Sequence, residues 1–147
     1  MALTKGTQFS RSNFHWSPGI VAASQPVLVR DYPDRLADMI RKKLIQRGII
    51  DTMECSVMNY AWTRLSYIPW HNDEHRKDAV TVFPNREWDR NMGGLFLYET
   101  EPDGTIQAMV PRFNCALRNS GHILHATTPV YLEAPEPRFT IQLFSRG

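Results

Sequence analysis

The chain has 147 residues with 17 basic and 15 acidic side chains, 42% hydrophobic and 11% aromatic, which suits one domain with an ordinary core and excludes a disordered polymer. A net charge of +2 without any Lys/Arg block leaves no strong signal for nucleic acid, and no apolar run approaches the roughly 18 residues that cross a bilayer. Met1-Ala2-Leu3-Thr4-Lys5 lacks the apolar stretch of a secretion signal, so a soluble cytoplasmic protein is expected.

Residues 1–25 carry little pattern, and Ser10, Ser12, Ser17, Pro18 and Gly19 mark a loose arm. Residues 26–53 are expected as helical support for a β core. Pro33-Asp34 is a helix start with Asp34 as N-cap, Leu36, Met39, Ile40 and Leu44 share one apolar face, and Gly48 is the stop. The plain reading of that pattern is a packing helix laid on a face or edge of a sheet. After Asp51 the pattern changes to short β-like runs at 54–62, 66–73, 79–84, 94–100, 105–110, 113–119, 124–130 and 138–145. Turn residues such as Pro102-Asp103-Gly104 and Asn119-Ser120-Gly121 separate them. Short strands at this spacing predict a mainly β fold, a sandwich or barrel with antiparallel pairing, over 54–146 of a single domain 1–147. Cys55 and Cys115 fall in β-like apolar runs and are expected as reduced core thiols.

His71-Asn72-Asp73 is the first chemical signal. Residues i and i+2 of a strand face one side, so an imidazole and a carboxylate would point together into the barrel mouth. Taken alone, His-x-Asp is a weak motif that also describes a surface hydrogen-bonded pair. His125, opening a late strand far away in sequence, is the best placed third ligand. His122 would face the other side of a continuous strand, and His75 falls where the first strand ends. Two histidines and one carboxylate leave open positions on a metal, the pattern of non-haem Fe(II) oxygenases. His15 reads as a polar residue of the arm. Arg138 and Thr140 project to one face of the last strand, with Phe139, Ile141 and Leu143 on the other. A guanidinium inside a barrel needs an anion, and its planar fork beside a hydroxyl suits a carboxylate.

Together these residues resemble the prolyl-4-hydroxylase-like branch of the 2-oxoglutarate- and Fe(II)-dependent oxygenases, over roughly residues 55–146. The resemblance implies a double-stranded β-helix, with His71, Asp73 and His125 as metal ligands and catalytic centre. It implies that Arg138 and Thr140 hold the C5 carboxylate of 2-oxoglutarate, with Tyr60 or Tyr67 as the tyrosine that bonds the same cosubstrate. Thr81-x-x-x-Asn85, Trp88 and Gly93-Gly94-Leu95-Phe96-Leu97-Tyr98 resemble the branch's central strand, turn and Gly-Gly strand, although Val82-Phe83-Pro84-Asn85 replaces its usual tyrosine-leucine-asparagine.

The implied activity is hydroxylation of an unactivated C–H bond, using Fe(II), 2-oxoglutarate and dioxygen and releasing succinate and CO2. A peptidyl residue, prolyl included, or a small molecule would be the substrate. Two other readings share the fold: a nucleic-acid demethylase, and a non-catalytic cupin-like metal-binding barrel. The loop around residues 74–77, the stretch 84–91, Trp62 and Trp70 are the candidates for an outer substrate pocket.

Overall fold

The structure, a computed structural model, describes residues 10–11, 27–74, 76–100 and 103–146. In chain order these form β1 (Ser10–Arg11), β2 (Val27–Asp31), α1 (Asp34–Gln46), β3 (Cys55–Trp62), β4 (Ile68–His71), β5 (Arg76–Phe83), β6 (Phe96–Glu99), β7 (Ile106–Met109), β8 (Cys115–Ser120), β9 (His125–Thr127) and β10 (Arg138–Arg146). The strands make a six-stranded sheet in the order β1-β2-β3-β10-β5-β8 and a four-stranded sheet in the order β4-β9-β6-β7. All pairings between these strands are antiparallel. From β3 onward the chain crosses between the sheets at each step except the β6–β7 hairpin, and the result is the double-stranded β-helix.

Period-two alternation explains the layers. On β10 Arg138, Thr140 and Gln142 are buried toward the interior, while Leu143 and Ile141 pack outward with Val57, Val80 and Val82. Helix α1 covers that outer surface through Ala37 and Leu44, so it lies on a face of the six-stranded sheet. On the inner side Val27, Val29, Met58, Tyr60, Trp62 and Ile68 join Val130 and Ala134 in a second apolar cluster.

The helix departs from expectation at its start and on its face. Pro33, not Asp34, is the N-cap; Asp34 sits in the first turn, where its charge suits the positive end of the helix, and no side chain caps the turn. Met39 is 58% exposed, and the buried stripe runs through Ala37 and Leu44 instead. Gly48 ends the helix as expected: at φ 65° its N–H donates to the Ile45 carbonyl and the Ile49 N–H to that of Leu44, a Schellman closure.

Two strands lie where none is expected. β2 falls in the segment read as helical support, with Val27 and Val29 buried at alternate positions, and β1 pairs with it through Ser10↔Val29. Residues 1–9 and 12–25 of the expected arm, His15 included, lie outside the described residues. The second expected strand is shorter than 66–73: β4 pairs with β9 at Ile68↔Thr127 and at His71↔His125, with a register shift between the two, and ends at His71. β5 starts earlier than expected and stops at Phe83, before Pro84 removes the next donor. Cys55 is buried under the helix, but Cys115 is exposed at the start of edge strand β8, so only the first is a core thiol. Among the described residues no helix is long and apolar enough to cross a membrane.

Candidate metal and anion site

β4 and β9 bring two histidines together. His71 pairs in register with His125, and their ring centroids lie 4.2 Å apart. Both rings use the same local restraint: His71 Nδ1 meets the Pro69 carbonyl and His125 Nδ1 that of Ile123, each at 2.8 Å. With the proton on Nδ1, each Nε2 presents a lone pair, and the carbonyl fixes the ring orientation. Burial, and then the neighbouring His125, push His71 below the usual imidazole range, so its neutral, metal-binding form is favoured. Phe96 stacks on His125 at 5.4 Å and 17° and shields it from water.

Asp73 arrives differently from expectation. It lies two residues beyond the end of β4, so shared strand face does not place it. Its N–H donates to the Gly121 carbonyl at 2.8 Å, and the Arg76 N–H donates to its carbonyl at 2.7 Å. A Cβ at Gly121 would meet the Arg76 and Asp73 carbonyl oxygens at 2.0 and 2.6 Å, so only glycine lets the two loops close this tightly. The Asp73 carboxylate reaches 3.6 Å from His125 Nε2, and ligand atoms of His71, Asp73 and His125 all lie within 4.8 Å of one another. Two imidazoles and one carboxylate at this spacing fit a divalent first-row ion such as Fe(II). His122 is exposed and outside the cluster; His75 lies outside the described residues.

Arg138 is the second element. Its side chain is buried, its Nη1 donates to the Gly94 carbonyl, and its guanidinium carbon lies 4.5 Å above the Trp62 ring. Among the described residues its Nε has no hydrogen-bond partner and no carboxylate pairs with it. Burial alone pushes the guanidinium down to about 9, still cationic at neutral pH. A charge held this way is stabilised by an incoming anion.

Three surrounding contacts position it. Gly94, at φ 61°, lies so close that a Cβ there would stand 2.8 Å from Arg138 Cδ. Asn85 accepts the Phe139 N–H at 2.7 Å and donates to Glu136 at 2.7 Å and to the Pro137 carbonyl at 3.0 Å, pinning the start of β10. Trp88 Nε1 donates to the Gly93 carbonyl at 3.0 Å and steadies the Gly-Gly turn. Thr140 is fully buried and accepts from Trp62 Nε1 at 3.0 Å and from Gln142 Nε2 at 3.3 Å. Tyr60 stands opposite Thr140 in the β3–β10 register, and burial pushes its hydroxyl up, so it keeps its proton.

His71, Asp73, His125, Arg138 and Tyr60 line one cavity, with Ile68, Phe83 and Phe96 among its apolar walls. Thr140 is buried behind this lining, and Tyr67 is partly buried outside it. Of the two tryptophans read as outer-pocket candidates, Trp62 is buried beneath Arg138 and Trp70 is 43% exposed. Asn119 also lines the cavity and is not singled out by sequence, where it reads as a turn residue. The alternation of β8 could have placed it inward.

No protein-family model matches the chain, and no curated protein matches it in sequence. Solved structures do match in fold. A prolyl-4-hydroxylase from Pseudomonas putida is 14% identical with a TM-score of 0.64, covering 84% of this chain and 71% of that one. An oxidoreductase of the 2OG-Fe(II) oxygenase family from Burkholderia pseudomallei is 13% identical with a TM-score of 0.67, covering 95% and 72%. A prolyl hydroxylase from Trichoplax adhaerens, solved with a hypoxia inducible factor oxygen degradation domain peptide, is 17% identical with a TM-score of 0.66, covering 95% and 70%.

Proposed function

We propose that this chain, whose fold is that of the prolyl-4-hydroxylase-like 2-oxoglutarate/Fe(II) oxygenases, is itself a 2-oxoglutarate- and Fe(II)-dependent dioxygenase that hydroxylates a C–H bond. One observation carries the reading: a His-Asp-His donor cluster and a buried guanidinium with no carboxylate partner among the described residues open into the same cavity. His71, Asp73 and His125 would hold the ion through two Nε2 atoms and a carboxylate. When bound, Fe(II) and 2-oxoglutarate supply the oxidising chemistry, in which dioxygen is reduced, the 2-oxo acid loses CO2 to become succinate, and one oxygen atom goes to the substrate.

The protein's own residues bind and orient. Arg138 would take the C5 carboxylate of 2-oxoglutarate on its free guanidinium edge. Thr140 would assist: its oxygen already accepts from Trp62 and Gln142, so its hydroxyl proton is left to donate. Tyr60, protonated and in the cavity wall, is the tyrosine we assign to the cosubstrate in preference to Tyr67. Ile68, Phe83 and Phe96 exclude water, which strengthens each of these contacts. The peptide bound to the Trichoplax adhaerens neighbour favours a peptidyl substrate for this chain too.

The test is anaerobic titration of the protein with Fe(II) and 2-oxoglutarate, followed by exposure to labelled dioxygen. A weak visible charge-transfer band, then succinate carrying one labelled oxygen, supports the reading. Absence of both band and binding returns the fold to a non-catalytic metal-binding barrel.

A further inference from the structure

Asn119 is a buried amide without an assigned task. It is 6% exposed, its Nδ2 has no hydrogen-bond partner among the described residues, and it lines the same cavity as the metal cluster. An unmade bond at such a depth is costly, so a ligand that completes it is favoured over one that does not.

The sheet register says which end of the cavity it serves. Inward-facing residues of β10 run from Arg138, paired with Trp62, to Phe144, paired with Ala79, and Ala79 pairs in turn with Asn119. Asn119 therefore lies at the opposite end of the inward face from Arg138. Two residues further on, the Gly121 carbonyl accepts the Asp73 N–H, which fixes the Asn119 strand against the loop of a metal-cluster carboxylate. A ligand anchored by a carboxylate on Arg138 and extending to the metal cluster would bring its other end to Asn119.

We propose that Asn119 Nδ2 donates a hydrogen bond to an oxygen of the 2-oxo acid end of the cosubstrate, making it a specificity-determining residue for that group; this rests on the dioxygenase reading above. The amide has donors to offer and no partner for them, which suits a carboxylate or ketone oxygen and gives nothing to a hydrocarbon segment. Arg138 and Asn119 would then measure the cosubstrate from its two ends.

The experiment uses the full chain loaded with redox-silent Mn(II) and reads 2-oxoglutarate affinity by calorimetry, alongside Mn(II) affinity measured separately. Asn119→Leu is expected to weaken 2-oxoglutarate by about tenfold or more, the usual worth of one charge-assisted bond, with Mn(II) affinity unchanged. Asn119→Asp keeps the shape and sets an acceptor against an anion, so it should weaken 2-oxoglutarate further; it carries the test alone if the leucine variant does not fold. In the anaerobic Fe(II) form, the visible band should shift in either variant. Unchanged 2-oxoglutarate affinity overturns the inference, as does an equal loss of Mn(II) affinity, which would make Asn119 a support for Asp73. A wild-type protein that takes up Mn(II) but no 2-oxoglutarate overturns the dioxygenase reading along with it.

Discussion

His71 and His125 are oriented by the same device, a backbone carbonyl two residues earlier that accepts a hydrogen bond from Nδ1–H and turns Nε2 inward. The orientation exists before any ion binds, so removing one ligand should leave the rest of the fold intact. His71→Ala, Asp73→Ala and His125→Ala are each expected to abolish Fe(II)-dependent succinate formation with far-ultraviolet circular dichroism unchanged, whereas His122→Ala should keep wild-type turnover. Arg138→Ala should raise the half-saturating 2-oxoglutarate concentration at least about tenfold, since a charge-assisted carboxylate contact is worth roughly 1.5–3 kcal/mol. Succinate formation against 2-oxoglutarate concentration decides it, and an unchanged midpoint removes Arg138 from the cosubstrate site. The cysteines offer a separate check. Cys115 is exposed, while Cys55 is buried and desolvation pushes its thiol up, so a maleimide should label Cys115 first under native conditions. Mass spectrometry of the labelled peptides reads the order.

At the scale of elements, helix α1 is held to the sheet by few residues. Leu44→Ala should cost about 2–5 kcal/mol by removing a buried side chain from the outer cluster, while Met39→Ala should stay within about 0.5 kcal/mol because that side chain faces water. Denaturant unfolding of the two variants measures the difference. The contrast also shows what the sequence could and could not carry. Strand existence was legible because turn residues punctuate the β region, and all eight expected runs hold a strand. Strand ends were less so, since they depend on partners: β4 ends at His71, the last residue it pairs with β9, which nothing in its own residues announces. β2 was missed because Val27 and Val29 give only two alternating positions. Met39 was assigned inward because apolar periodicity weighs size, whereas in the structure Ala37 is buried and Met39 faces water. In the site, His71 and His125 could be read from strand alternation. The anchoring of Asp73 by Gly121 could not, because it joins loops 48 residues apart.

At the scale of the molecule, the two sheets contribute different chemistry. The four-stranded sheet carries His71 and His125, and the six-stranded sheet carries Arg138, Tyr60 and Thr140. Gly94 couples them, because its carbonyl accepts from Arg138 and its missing Cβ makes room for that side chain. Gly94→Ala would press a methyl group into the arginine stem at a left-handed φ, costing roughly 1–2 kcal/mol in backbone strain alone. We expect that variant to melt lower and to bind 2-oxoglutarate more weakly while retaining its affinity for metal. Paired thermal melts and Mn(II) titrations test this; a variant that loses metal affinity as well would mean that the two ends of the cavity are not separable.

The Asp73–Gly121 hydrogen bond ties the carboxylate loop to the segment that leaves β8, so an ion shared by Asp73, His71 and His125 would span both sheets. The consequence is one of mass action. Ligands from distant parts of the chain come together only in the folded state, so each bound ion draws the population away from the unfolded state, by about 2.7 kcal/mol at a hundredfold excess over its dissociation constant. Thermal stability then becomes a titratable quantity: the melting temperature should climb with added Mn(II), fall back with chelator, and stay flat in Asp73→Ala. The fold and its metal supply would be two sides of a single equilibrium.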